Sequence, residues 1–130
     1  MAEYTFSTTM PGPIEDARQR VIEALSTEGF GVLTEIDVAA TLKKKIGETI
    51  DPYLILGACN PPLAHRAIST EPAIGALLPC NVVLRAAGDH VIVDFMNPES
   101  VLTLVEAEGI STVATEVRNR LERVRGLLAG

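Results

Sequence analysis

Apolar and polar residues change period several times along this chain, and the changes predict its elements. Tyr4, Phe6 and Thr8 alternate with Thr5, Ser7 and Thr9, the period of a half-buried strand. Pro11-Gly12-Pro13 breaks that pattern. Pro13 suits a first helical position, and Glu15 and Asp16 suit a first turn. Ile14, Ala17, Val21, Ala24 and Leu25 then form a helical stripe, with Gly29 as its left-handed stop. Alternation returns at Phe30, Val32, Thr34 and Ile36, predicting a second strand over 30–36. Asp37 is placed to cap a short helix running to Ile46, with Val38, Leu42 and Ile46 on one face. Lys43, Lys44 and Lys45 fall in its last turn, where the helix dipole favours cations, and Gly47 ends it.

Tyr53 to Cys59 is apolar on both faces and reads as a central strand. Asn60 and Pro61 form a cap and first turn for a helix carrying Leu63, Ala64, Ala67 and Ile68, which Pro72 interrupts. A short turn follows over Ala73 to Leu78, and Pro79 ends it. Val82–Ala87 and Val91–Met96 flank Gly88-Asp89, a two-residue loop suited to the primed hairpin turns. Asn97-Pro98 repeats the Asn60-Pro61 logic and opens a helix holding Val101, Leu102 and Val105, with Gly109 as its end. Val113, Val117, Leu121, Val124 and Leu128 give the stripe of a last helix starting near Ser111. Alternation in the first half and a hairpin in the second favour an α+β sandwich, its helices mainly on one sheet face.

The 130 residues fit one domain, residues 1–130, large enough for a core of its own. Hydrophobic residues make up 47% and aromatics only 4%, so the core is aliphatic and stacking platforms are scarce. The net charge of −6 argues against a nucleic-acid binder. Arg118, Arg120, Arg123 and Arg125 are a local exception, read as a solvated helix face with Glu116–Arg120 at i,i+4 spacing. No apolar run is long enough for a membrane span, and nothing after Met1 resembles a signal peptide. The expectation is a cytoplasmic protein with reduced cysteines.

Chemistry concentrates where Cys59-Asn60-Pro61-Pro62 is echoed by Pro79-Cys80-Asn81. Cys59 has two readings: a thiolate favoured by the exposed N–H groups of a helix start, or a small buried hydrophobe ending a strand. Cys80 opens a strand with no helix start beside it. The candidate metal donors are Cys59, His65 and Cys80 with Asp37 or Glu35, but there is no Cys-x-x-Cys and no His pair. Glu35 and Asp37 share a strand face as a possible acid–base pair, against the plainer reading of a cap and a solvated side chain. Asn60, Asn81 and Asn97 all fall at strand boundaries. Were those boundaries to share one end of the sheet, their amides and Cys59 would line a pocket for a small polar or anionic ligand. The competing reading makes Asn60 and Asn97 caps only.

Glu35-Ile36-Asp37 after a strand, Gly57-x-x-Asn60-Pro61, Leu77-Leu78-Pro79 before a hairpin and Asn97-Pro98 after it occur in that order. Together they resemble the domain of unknown function family 302, small bacterial and archaeal proteins, over residues 4–105. The resemblance implies a compact α+β domain with an antiparallel sheet backed by helices, similar to the TATA-binding-protein-like fold, and a homodimer. No activity follows from it, and the cofactor, if any, stays unknown. The commoner family pattern carries an aliphatic or aromatic residue before Gly-Asn-Pro and no Cys beside Leu-Pro. The resemblance therefore implies that Cys59 and Cys80 are dispensable for folding. The working reading is a homodimeric small-ligand binding or sensing module using Cys59, Asn60, Cys80, Asn81, Asn97 and Asp37. Its alternatives are a thiol-dependent enzyme or redox protein acting through Cys59, and a metal or haem binder.

Overall fold

A computed structural model describes residues 3–129; the expected domain limits, Met1 and Gly130, lie outside them. The elements in chain order are β1 (Thr5–Pro11), α1 (Ile14–Thr27), β2 (Gly31–Asp37), α2 (Val38–Ile46), β3 (Tyr53–Cys59) and α3 (Pro61–Thr70). A 3-10 turn over Pro72–Leu77 leads to β4 (Cys80–Ala87), β5 (His90–Met96), α4 (Pro98–Val101), a second 3-10 turn and α5 (Ile110–Leu128). The five strands form one antiparallel sheet in the order β1-β5-β4-β3-β2. The fold is thus α+β, as the element pattern predicts.

The core lies between one sheet face and the helices. Leu54, Leu56 and Ala58 on β3, Cys80, Val82 and Leu84 on β4, and Val91, Val93 and Phe95 on β5 are buried on that face. Ala17, Val21, Ala24 and Leu25 of α1 and the α5 stripe from Ile110 to Leu128 cover it. Each fully buried Val or Leu contributes roughly 1.5–3 kcal/mol, so two such stripes outweigh any single polar contact in the molecule. On β1, Phe6 stacks on Phe95 with centroids 5.3 Å apart, and the Arg118 guanidinium lies 4.2 Å from the Phe6 centroid. The Asn97 amide donates to the Glu3 carbonyl at 2.9 Å, fastening the start of β1 to the end of β5.

Three features differ from the sequence pattern. β1 continues through Pro11, because an edge strand tolerates a missing N–H on its outer side. β2 carries a bulge at Leu33: Val32 pairs with Ala58 but Thr34 with Gly57. The extra residue reverses the pleat, so Thr34 and Ile36 face away from the helices and Ile36 is 48% exposed instead of lying in the core. Gly109 does not close the helix that Asn97-Pro98 opens. That helix is one turn long, and Gly109, at φ 93°, precedes α5, which begins at Ile110. Among the described residues, no helix is long and apolar enough to cross a membrane.

Candidate functional site

The register brings most of the expected residues to one end of the sheet. Ala58 pairs with Cys80, Gly57 with Asn81, and Val82 with Phe95. The end of β3, the start of β4 and the end of β5 therefore lie side by side, carrying Cys59-Asn60, Cys80-Asn81 and Met96-Asn97. Asp37 does not join them. It pairs with Leu54 at the opposite end of the sheet, where its carboxylate accepts from the Ala40 N–H at 2.9 Å and caps α2. Asn81 is at the right end but on the wrong face, exposed on the side away from the helices.

The chain turns from strand to helix at Asn60, as its side chain and the two following prolines dictate. Asn60 is extended, and its Oδ1 accepts from the Leu63 N–H at 3.3 Å. Its Nδ2 donates to the Glu28 carbonyl at 3.2 Å, tying α3 to the end of α1. Arg120 Nη1 donates to the same carbonyl at 3.0 Å from α5. Nothing in the local pattern around Arg120 signals this contact, which joins residues 92 positions apart.

This geometry argues against a helix-activated thiolate at Cys59. Pro61 and Pro62 have no N–H to offer. The next two donors are engaged, Leu63 by the Asn60 side chain and Ala64 by the Asn60 carbonyl at 2.9 Å. The first turn of α3 thus presents no free amide to a neighbouring sulfur. Both cysteines are free; Cys59 is half-buried and Cys80 is buried. Burial pushes the Cys80 thiol up to about 12, and the neighbouring Cys59 adds to the shift.

The amides do not line an open polar pocket either. Asn97 is a cap: its Oδ1 accepts from the Glu99 N–H at 3.1 Å, and its Nδ2 donates to Glu3 and to Ser100 Oγ. What does lie at this end is a narrow apolar cavity of about 30 Å³ between the strand ends, α3 and α5. Cys59, Asn60 and Cys80 line it together with Phe30, Leu63 and Val117, among others. The site is thus apolar where the asparagines suggested a polar or anionic one. Its α5 wall could be read only as a core stripe from sequence.

The remaining chemistry stays apart. Arg18 makes a bidentate pair with Glu35, its Nη2 2.7 Å from Oε1, and holds that carboxyl below its usual range. Glu35 is thereby occupied, and Asp37 is a cap, so the two do not form an acid–base pair. His65 is exposed, with Ser69 Oγ 3.5 Å from Nε2, and His90 is exposed beside Asp89. Among the described residues, no group of three or more His, Cys, Asp or Glu side chains is placed to hold a metal ion.

The fold matches a solved structure, that of an uncharacterized conserved DUF302 protein from Bacillus stearothermophilus. The TM-score is 0.90 at 24% identity, covering 98% of this chain and 99% of the other. No curated protein matches the chain. The family model described as "Domain of unknown function DUF302" matches residues 6–126, nearly the whole length, and the chain belongs to that family.

Proposed function

We propose that the chain is a non-catalytic, homodimeric module of the cytoplasm that binds or senses a small molecule in the cavity beneath Asn60. The observation that carries this reading is the void itself, at the junction of the end of β3 and the start of β4 with α3 and α5. Its volume, about 30 Å³, is room for one or two water-sized groups. Its lining is apolar apart from two sulfurs and one engaged amide, so the ligand is uncharged and mainly apolar. A molecule of more than a few heavy atoms enters only if α3 shifts. That helix is the mobile wall in this reading, since only Leu63 and Ala67 of its ten residues are buried.

The test is native mass spectrometry of freshly purified protein, repeated on Ala64→Leu. Ala64 lines the cavity and is half-buried on α3, so a larger side chain there obstructs the void without opening the core. A retained molecule that disappears in Ala64→Leu, with the helical circular-dichroism signal intact, supports the reading. If nothing is retained, and xenon pressure moves no NMR resonance of Ala58 or Leu63, the cavity binds nothing and the proposal fails.

A further inference from the structure

An antiparallel sheet with one solvated face shows apolar residues inward and polar residues outward. This sheet does not. Tyr53, Ile55, Val83 and Ile92 occupy positions facing away from the helices on the three inner strands, and Ile36 extends the row onto β2. The register sets Ile36, Ile55 and Val83 side by side across three strands. The buried stripes of α1 and α5 belong to the opposite layer, and α2 has no fully buried side chain. The apolar character of both faces of β3 is thus matched by a covering layer on only one.

We propose that this open face is the interface between two copies of the chain, packed sheet against sheet about a two-fold axis. Area and charge support a second copy as the occupant. Five strands spaced ~4.8 Å apart, each about seven residues long, give a footprint of roughly 500–600 Å² per copy. Two such faces reach the ~1,000 Å² that a specific interface needs. The charged strand residues on the face are Arg85 and Asp94, and they neutralise each other through an Nε–Oδ2 contact of 2.8 Å. Ser7 Oγ donates to the other Asp94 oxygen at 2.5 Å. The face therefore carries no net charge, although the chain carries −6. Two copies meet there without the repulsion that opposes them elsewhere, and a strongly charged partner finds no complement. Thr5, Thr9 and Thr34 supply a polar rim.

This inference rests on the dimeric state proposed above and names its surface; the small-molecule reading is tested separately. The experiment is light scattering coupled to size exclusion, over a concentration series, on the full chain and four variants. Ile55→Lys and Val83→Thr alter the open face, the second with almost no change of shape. Leu33→Lys and Ile46→Lys alter exposed apolar residues on the β2 edge and on α2, 67% and 65% exposed. The expected result is a dimer of the unaltered chain. Ile55→Lys raises its dissociation constant about 100-fold or more, Val83→Thr raises it several-fold, and the other two leave it unchanged. If Ile55→Lys does not fold, Val83→Thr decides alone. A monomer at every concentration overturns both the dimeric state and this surface. A dimer that survives Val83→Thr unweakened, or that Leu33→Lys or Ile46→Lys dissolves, overturns the surface and leaves the dimeric state standing.

Discussion

Replacing Asn60 separates the two roles its side chain performs. The residue is 6% exposed, accepts from Leu63 N–H at 3.3 Å and donates to the Glu28 carbonyl at 3.2 Å. Loss of an Asn cap costs about 1 kcal/mol. Loss of the tether costs about another 1 kcal/mol, and no more, because Arg120 still donates to Glu28. Asn60→Ala therefore destabilises by about 2 kcal/mol. Asn60→Ser keeps a cap acceptor but is too short to reach Glu28, so it loses about 1 kcal/mol. The assay is equilibrium unfolding in urea. With a slope of about 2 kcal/mol per molar, the midpoint falls by about 1 M for Ala and half that for Ser. Equal losses for Ala and Ser would show that the cap contributes nothing. A loss below about 0.5 kcal/mol for Ala would refute both contacts, given that the slope is unchanged.

Two further outcomes follow from the same end of the sheet. A Cβ on Gly57 would press against Thr34 Oγ1 and lie 2.8 Å from Pro79 Cγ. Gly57→Ala should thus lose about 1–3 kcal/mol, and Thr34→Ala in the same chain should recover part of it; strict additivity in a urea double-mutant cycle would clear Thr34 as the obstacle. The Cys80 thiol, pushed up to about 12, keeps its proton when folded at a pH where the unfolded chain has released it. Stability should therefore fall as pH rises from about 9 towards 12, and this alkaline slope should shrink in Cys80→Ala; an identical slope in pH-dependent urea melts would contradict the burial of that thiol.

Local punctuation was legible in the chain because its physics is local. Asp37 and Asn60 cap as their positions require, Gly47 takes the left-handed conformation, and Gly88-Asp89 makes the hairpin loop. Gly109 was ambiguous because a glycine at positive φ fits either side of a helix boundary, and only the brevity of α4 decides. The bulge at Leu33 was hidden for a different reason. Phe30, Val32, Thr34 and Ile36 alternate without a break, and the phase change appears only when β2 is laid against β3. The shared strand end was anticipated from three asparagines, but its chemistry was not. Whether an amide is free depends on Glu3 and Glu28, which are 94 and 32 residues away from their partners. Likewise Val113 and Val117 become cavity walls only through tertiary packing.

The position of β1 has a consequence for how the molecule is made. Of the five strands, the first to leave the ribosome pairs with β5, the last of them, and its fastening at Glu3 waits for Asn97. Residues 31–87 contain strands that are neighbours in both sequence and space, so β2, β3 and β4 associate while synthesis continues. β1 remains a stranded guest throughout, its Phe6 uncovered until Phe95 arrives. Closing so long a loop slows folding. A nascent chain halted before His90 is left with a complete N-terminal strand and nowhere to seat it.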